Sequence, residues 1–329
     1  MSYDREKMEK IVPTAPGLKR PAIDFVGHRK VYWTISAALI LLAVLVSVIF
    51  GVKIDIKFTG GTIANYSYTG VIDENDFEKV VEDVTGHDVK VSGSKDLMTG
   101  QDTFTVNFTE AIALDVEDQN EMTRAIDEAF PDNKIEVVSV NSVSPTMGGD
   151  FLLKCVVAVI FAAIVMVVYV GFRFRKIGGI SAGIFALVAL FHDLCMVYVT
   201  FTLFRMPLDD NFMSVMLVIL GYSVNDTIVI YDRVRENERL YGTKLTNIEL
   251  VNLSINQSLS RTIHTSVTTI GAMLVVLIMA ALNGVDAIVT FTLPLIIGLL
   301  SGTYSSICIT CPSWVAWKQF RARKGRKKS

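Results

Sequence analysis

The chain has 329 residues, of which 51% are hydrophobic and only 19% are charged, and its mean hydropathy is +0.45. This is more apolar than the average soluble domain, so the composition argues against an ordinary soluble protein. The formal net charge of −2 conceals an uneven distribution. Residues 53–150 contain 20 acidic and 7 basic side chains, a net charge of −13, and the rest of the chain therefore carries about +11.

The apolar residues are concentrated in six long runs. Each run is close to the roughly 20 residues that a helix needs to cross a hydrocarbon core about 30 Å thick. The first run is too long, and begins too far from the N-terminus, for a cleaved signal peptide, so we interpret it as a retained span. The sequence predicts an α-helical polytopic membrane protein with a first transmembrane helix at 31–52 and five more within 151–312, at about 152–172, 178–203, 212–231, 263–282 and 287–309.

Basic residues indicate how these spans are oriented. They precede the first span, lie between spans two and three and between spans four and five, and follow the sixth, whereas the short turns on the other side carry only Arg205. The positive-inside rule places both termini in the cytoplasm, with residues 1–30 as a cytoplasmic segment and 313–329 as a basic cytoplasmic tail. The tail could touch anionic lipid headgroups or ribosomal RNA. We favour a simple topology anchor and expect no nucleic-acid partner.

Residues 53–150 are then an acidic extracytoplasmic domain. Residues 103–108 alternate as a strand with Phe104, Val106 and Phe108 on one face, and helices are predicted from about Asp73 and from Val116. With further strands near 62–68, 88–93 and 135–143, the order β-α-β-β-α-β predicts an inserted α+β ferredoxin-like domain. The domain contains no catalytic motif, so we expect a binding or lever module with no catalytic residues and no metal. The four cysteines all fall in apolar spans and are interpreted as small buried side chains.

The fourth span contains a carboxylate, Asp226, well inside its apolar run. A charge in hydrocarbon costs at least roughly 2.5–3.5 kcal/mol, so such a group usually faces a bundle interior and marks a proton, ion or substrate path. Arg261 begins the fifth span from the same side, at similar depth, and would pair with Asp226 if the two helices are neighbours. Burial favours the neutral acid and a guanidinium favours the carboxylate, so a group balanced between them can load and release protons. The alternatives are a static ion pair or an Arg261 that only snorkels to the interface.

Three further polar residues lie in the third and fourth spans. Asp193 is assigned either to proton coupling or to packing on a partner, and the adjacent His192 more often has a structural role. Asn225 could hydrogen-bond the Asp226 carboxyl or join helices. Glycines four residues apart permit close helix packing in the third and sixth spans, at Gly179 and Gly183 and at Gly298 and Gly302.

The loop before the fifth span contains a capping box, Thr246-x-x-Glu249, followed by an amphipathic run. This pattern predicts a separate cytoplasmic helix lying in the membrane interface.

Several separated motifs carry a specific resemblance: Phe58-Thr59-Gly60-Gly61-Thr62, His192-Asp193, Gly221-Tyr-Ser-Val-Asn-Asp-Thr227, Asp232-Arg-Val-Arg-Glu-Asn237, Ser260-Arg-Thr-Ile-His-Thr-Ser266 and Gly302-Thr-Tyr-Ser-Ser306. In this order they resemble the SecF family, the smaller membrane subunits of the bacterial SecD–SecF protein-export complex. One departure is Lys57, where the family more often has Asp before the Phe-Thr-Gly-Gly turn.

The resemblance implies a six-span half of an RND-type fold in the bacterial cytoplasmic membrane. It places the family's proton path at Asp226 and Arg261 and a functional turn at residues 58–62. The implied driving force is the proton-motive force, with no cofactor. The implied partners are a SecD-like subunit, the SecYEG translocon, YajC, exported polypeptide and membrane lipids.

Three hypotheses of different class remain open on the sequence. The chain is an auxiliary translocase subunit that uses proton flow to promote polypeptide export, rather than an enzyme; or it is half of an RND-type small-molecule exporter; or it is a passive scaffold. An exporter needs about twelve spans and large paired outer domains, and a scaffold does not explain Asp226. No nucleotide-binding motif is visible in the sequence, so we do not expect ATP to be the direct driver.

Overall fold

The computed structural model describes residues 23–95, 101–108 and 110–326. Most of the predicted segment 1–30 lies outside the described residues, as do Lys327 and Lys328 of the predicted tail.

The regular elements of the described residues are, in chain order, α1 (Arg29–Phe50), β1 (Gly61–Tyr68), α2 (Glu74–Thr85), β2 (Val89–Lys95), β3 (Asp102–Phe108), α3 (Val116–Ala129), β4 (Glu136–Val143), α4 (Pro145–Arg173), α5 (Gly179–Leu203), α6 (Asp210–Tyr241), α7 (Asn247–Leu282), α8 (Asp286–Ser305) and α9 (Cys311–Arg326). One helical turn, Ile56–Thr59, precedes β1, and a π-helical segment, Ser306–Thr310, joins α8 to α9.

Among the described residues, six helices are long and apolar enough to cross a membrane: α1, α4, α5, α6, α7 and the continuous helix formed by α8 and α9. The six predicted spans are therefore confirmed as helices. Several of them are longer than predicted. The 32 residues of α6 and the 36 residues of α7 extend for roughly 48 and 54 Å at 1.5 Å per residue, well beyond a hydrocarbon core of about 30 Å.

Helices α5, α6 and α8 contact one another and form the interior of the bundle, while α1 and α4 pack on α5 and α7 packs on α6 and α8. Glycines lie at two of these helix contacts, in the positions where the sequence predicted close packing. A Cβ atom at Gly183 would lie 3.1 Å from the Val167 carbonyl oxygen of α4, and one at Gly298 would lie 2.7 Å from Ile219 of α6. Side chains at these positions would force the helices apart.

The predicted interfacial helix does not exist as a separate element. The capping box is present, because Thr246 Oγ1 accepts a hydrogen bond from the Glu249 amide and Glu249 returns one to the Thr246 amide. The helix that it opens, however, continues unbroken to Leu282. No Gly or Pro lies between 247 and 270 to end it, and its apolar side chains, such as Val251 and Leu253, are buried in the bundle rather than laid on a membrane surface.

The sixth span also continues past its predicted end. After α8, the π-helical segment leads directly into α9, so the first residues of the predicted tail are helical as far as Arg326. A π turn inserts an extra residue into the helical repeat and is frequent at functional sites. Residues 306–310 are all buried.

The α/β domain, residues 53–144 between α1 and α4, has one four-stranded sheet of order β2-β3-β1-β4. Each neighbouring pair of strands is antiparallel. Helices α2 and α3 contact each other, and their buried residues Phe77 and Met122 complete a core with Tyr66 and Phe104 of the sheet. The alternation predicted for β3 is confirmed, because Phe104, Val106 and Phe108 are buried. Burial raises the pKa of Tyr66 above its ordinary value.

Two contacts fasten this domain to the bundle. The first joins the segment that follows α1, residues 53–57, to the turn before α6. There, the Asp55 amide donates to the Leu208 carbonyl at 3.1 Å and the Leu208 amide donates to the Lys53 carbonyl at 2.8 Å. The Lys57 Nζ atom lies 2.7 Å from Asp210 Oδ1 at the start of α6. That hydrogen bond raises the pKa of the Lys57 ammonium group above its ordinary value. Lys57 therefore has a defined partner on a membrane-spanning helix.

The second contact is the turn at residues 58–62 against the start of α4. Gly60 has φ +81°, and a Cβ atom there would collide with the backbone of Pro145. Phe58 stacks on Phe151 with ring centroids 5.5 Å apart. This turn therefore requires glycine to let two backbones approach.

Candidate functional site: two buried carboxylates in the helical bundle

The first carboxylate, Asp226, lies on the buried side of α6 and is only 2% exposed. Its Oδ2 atom has no hydrogen-bond partner in the described part of the chain. Buried polar atoms are nearly always hydrogen-bonded, so each exception calls for an explanation, and a functional role is one. Two other buried side-chain atoms of the described residues share this property, Thr262 Oγ1 on α7 and His192 Nε2 on α5.

The structure does not bring Asp226 and Arg261 into an ion pair. Hydrogen bonds from Asn237 to Ser254 and from Tyr222 to Thr269 fix the antiparallel register of α6 and α7. In this register Asp226 is level with residue 265, and Arg261 is level with residue 230. The helices are neighbours, as the pairing hypothesis requires, but the two residues are about one helical turn apart in depth, roughly 6 Å at 1.5 Å per residue.

Arg261 and Asn225 instead belong to an exposed polar face. Asn225 is on the exposed side of α6, and on α7 the exposed residues include Arg261, His264, Thr265 and Thr268. Asn225 forms no hydrogen bond with Asp226 in this arrangement. Polar side chains at this depth avoid lipid and usually face another helix or a water-filled cavity. This polar face therefore indicates a surface that a further protein covers.

The second carboxylate, Asp193 on α5, is completely buried and completely satisfied. Ser301 Oγ of α8 donates to its Oδ1 atom at 2.6 Å. Ser223 Oγ of α6 and Ser305 Oγ of α8 both donate to its Oδ2 atom at 2.7 Å. The neighbouring His192 Nδ1 lies 3.3 Å from Oδ1. Asp193 thus joins the three central helices of the bundle.

Hydroxyl pairs continue this arrangement along the bundle. Thr227 on α6 bonds to Ser306 of the π-helical segment at 3.0 Å, and Ser266 on α7 bonds to Thr303 on α8 at 2.6 Å. The Ser306 hydroxyl also donates to the backbone carbonyl of Ser223. These contacts place the π-helical segment against the stretch of α6 that carries Asp226. Conventional hydrogen bonds therefore surround Asp226 without including its Oδ2 atom.

Sequence reasoning found both carboxylates but missed the hydroxyl groups around them. Ser301 and Ser305 are four residues apart in an apolar span, and this spacing places both hydroxyls on one helix face. This spacing was the feature of the sequence from which a pair of hydroxyl groups on one helix face could have been predicted. Gly302 lies between them, and a Cβ atom there would be 3.1 Å from Ser223 Cβ, so the glycine allows α6 to approach closely enough for the serines to bond.

The turn at 58–62 is remote from the carboxylates, at the junction with the α/β domain. Thr62 is buried, and its hydroxyl donates to the Ile112 carbonyl and accepts from the Leu114 amide. Thr59 bonds to backbone carbonyls of its own turn. These side chains connect backbone segments. No group of three or more His, Cys, Asp or Glu residues suited to a metal ion occurs among the described residues.

Comparison with known proteins identifies the family. A family model described as "Protein export membrane protein SecD/SecF, C-terminal" matches residues 122–320. The chain is 34% identical to the protein translocase subunit SecF of Rhodothermus marinus over 313 residues, which cover 92% of this chain and 95% of that protein. It is 30% identical to the protein translocase subunit SecDF of Bacillus subtilis, covering 92% of this chain but 39% of that protein.

A solved structure shares the fold. The crystal structure of SecDF, a translocon-associated membrane protein from Thermus thermophilus, superimposes with a TM-score of 0.74 at 28% identity. The match covers 95% of this chain and 41% of the SecDF chain. The present chain therefore spans nearly the full length of a SecF subunit and less than half of a SecDF protein. The chain belongs to the SecD/SecF family of protein-export membrane proteins.

Proposed function

We propose that this protein is an auxiliary subunit of the Sec protein translocase that works with a SecD-like subunit and uses the proton-motive force to promote polypeptide export. One observation supports coupling to the proton-motive force. The carboxyl group of Asp226 is buried in a membrane span, and one of its oxygen atoms has no hydrogen-bond partner. A static structural acid would be satisfied, as Asp193 is. An acid that exchanges a proton needs an atom that is free to take one.

Arg261 is the counter-charge in this proposal. Its present position, one turn from Asp226 and exposed, suits the state in which Asp226 is protonated and needs no partner. When Asp226 releases its proton, the resulting carboxylate attracts the guanidinium, and relative movement of α6 and α7 would bring the two groups together. Proton release is then coupled to helix movement, which is the step that transport requires.

The SecD-like partner covers the exposed polar face of α6 and α7. Covering is needed because these polar groups are costly in lipid. The SecDF relatives support such a partner, since this chain accounts for only 39% and 41% of their lengths and leaves room for a second half. In the same proposal SecYEG, YajC and the exported polypeptide are further partners.

We infer that the α/β domain is a ferredoxin-like module outside the membrane, with both chain termini in the cytoplasm of a bacterial cell. The strand order β2-β3-β1-β4 with antiparallel neighbours supports this assignment. The outer amides of edge strand β2 are occupied, because those of Val89, Val91 and Gly93 donate to glutamates of α2. The other edge strand, β4, has no strand on its outer side, and an extended polypeptide can pair with such an edge. The domain is therefore suited to holding exported chain while the bundle moves.

The test is Asp226→Asn, which fixes the side chain in a neutral state. We expect secretion of a reporter to fall to the level of cells lacking the subunit, at matched protein abundance, and proton flux into vesicles to be lost. Arg261→Ala should have the same effect, while Arg261→Lys separates a need for charge from a need for the guanidinium fork. Leu240→Ala, an exposed position near the far end of the same helix, is the control and should retain flux. Export by Asp226→Asn that still responds to collapse of the proton gradient would refute the proposal.

A further inference from the structure

An apolar groove runs along the surface of the bundle between α1, α5 and α9. Its volume is about 630 Å³, and its lining includes Trp33, Ile40, Phe185, Phe191, Trp317 and Phe320. This size falls within the range of roughly 300–1,000 Å³ that is usual for small-molecule sites. The α/β domain and the polar face of α6 and α7 lie elsewhere. Of the candidate site residues in the bundle, only His192 lines the groove, and Asp226 and Arg261 do not.

The aromatic walls are held in place by the protein itself. Trp33 Nε1 donates to Ser313 Oγ at 2.9 Å, which joins α1 to α9 and fixes the indole ring. The Trp317 ring stacks on Phe320 at 6.1 Å and lies 6.4 Å from Phe185 of α5. The groove is therefore preformed, and a ligand need not order its walls.

A cationic cavity of about 440 Å³ lies about one helical turn beyond the groove, at the end of the bundle opposite to the α/β domain. Its lining includes Arg29 and Lys30 from the start of α1 and Arg323 from the end of α9. Arg29 is four residues before Trp33, and Arg323 is three residues after Phe320. Cationic and apolar side chains thus follow one another on one stripe of each helix, about one turn apart.

The charge of this cavity is only partly compensated, because one carboxylate faces three cationic side chains. Its acidic residue is Asp24, whose Oδ1 atom already accepts from the Gly27 amide at 2.8 Å and from Asn252 Nδ2 at 2.6 Å. In the part of the chain that the structure describes, no carboxylate forms an ion pair with Arg29, Lys30 or Arg323. A cavity with three cations and an occupied carboxylate favours an anion.

We propose that the groove and the cavity together bind one anionic phospholipid. The phosphate lies among Arg29, Lys30 and Arg323, and one acyl chain lies along the groove between Trp33 and Trp317. The order of chemistry along the two helices, cationic at the end of the bundle and apolar toward its middle, is the order found in a lipid. Three polar residues line the groove. Ser36 bonds to Tyr304 and Ser313 to Trp33, so an acyl chain deprives neither serine of a partner. The third, His192, has its Nδ1 atom within 3.3 Å of both Asp193 and Ser301, and its Nε2 atom has no partner in the described part of the chain.

The tryptophans provide the measurement. Two of the three tryptophans line the groove, and the third, Trp314, is 2% exposed. The full chain is reconstituted in phosphatidylcholine vesicles that contain a small fraction of phosphatidylglycerol, with either lipid brominated on its acyl chains. We expect brominated phosphatidylglycerol to quench tryptophan fluorescence about fivefold more effectively, per lipid, than brominated phosphatidylcholine, as one basic residue near an anionic lipid would provide.

Substitutions test which residues produce the preference for the anionic lipid. Arg29→Gln, Lys30→Gln and Arg323→Gln combined should abolish the preference, and Trp33→Phe should remove much of the quenchable signal. Arg175→Gln combined with Lys176→Gln changes two basic residues outside both the groove and the cationic cavity and should leave the preference intact.

Two results would overturn the proposal. The first is equal quenching by the two brominated lipids, which would indicate bulk lipid only. The second is loss of quenching when the SecD-like subunit is reconstituted together with the chain, which would assign the groove to a protein partner.

Discussion

Asp193 and Asp226 are two buried acids on adjacent helices with opposite surroundings. Asp193 accepts hydrogen bonds from three serines on two other helices, whereas Asp226 has an oxygen atom with no partner. Both are equally hidden from solvent, at 0% and 2% exposure. Burial alone therefore does not distinguish an acid whose hydrogen bonds join helices from one with an oxygen atom that has no partner. The hydrogen bonds around each acid make that distinction.

The largest expected effect on stability follows from breaking the satisfied site. Asp193→Ala leaves three serine hydroxyls without their acceptor, and each interhelical hydrogen bond contributes roughly 0.6–1.7 kcal/mol in a membrane protein. We expect the free energy of unfolding to fall by about 2–5 kcal/mol, measured by thermal or denaturant unfolding in detergent. Asp226→Ala should cost less, because it breaks none of these bonds. Equal losses would mean that the two sites do not differ as their contacts suggest.

A smaller effect is expected from forcing α8 away from α6. Gly302→Leu places a side chain against Ser223, where a Cβ atom would already lie 3.1 Å from Ser223 Cβ. Overpacking of this kind costs about 1–3 kcal/mol, and it should also weaken the bond from Ser223 to Asp193. Gly271→Leu on α7 is the matched control, because no atom lies within 4 Å of a Cβ atom there. Thermal unfolding of the two variants side by side measures the difference.

The smallest effect on stability is expected from removing the ion pair between Lys57 and Asp210. Both side chains are about half exposed, so Lys57→Met should reduce stability by less than roughly 1 kcal/mol. Because the pKa of Lys57 is raised in the folded protein, the contribution is fully present below the ordinary lysine pKa of about 10.4 and is lost as the pH rises through the folded value. Lys53→Met is the control. A large loss of stability in Lys57→Met at neutral pH would show that this ion pair, rather than the hydrogen bonds of Asp193, holds α6 in place.

The sequence predicted the features that a single segment encodes. Asp226 interrupts an apolar run, so the cost of its charge was visible without a structure, and the alternation of Phe104, Val106 and Phe108 placed β3 correctly. The predicted α2 and α3 were equally local, since the side chains of Asp73 and Asp115 cap their first turns.

Features that depend on several helices could not be predicted. The partners of Asp193 come from α6 and α8, and only the packed bundle brings Ser223 and Ser305 to the same carboxylate. The depth of Arg261 depended on the register of α6 and α7, which two interhelical hydrogen bonds determine. For α7, the amphipathic start and the apolar span were predicted to be two helices, whereas the structure has one helix from Asn247 to Leu282. The sequence has no Gly or Pro between 247 and 270 that would separate them.

The continuity of α6 has a mechanical consequence. This helix contains no proline, and Asp226 lies near its middle. Its first residue is Asp210, which forms the ion pair with Lys57 of the α/β domain. A helix without a hinge transmits an axial displacement along its whole length. A shift of one helical turn at Asp226, about 5.4 Å, would therefore displace the attachment of the α/β domain by a similar distance. If proton transfer at Asp226 moves α6, as proposed, the same helix would carry that movement to the α/β domain without a separate connecting element.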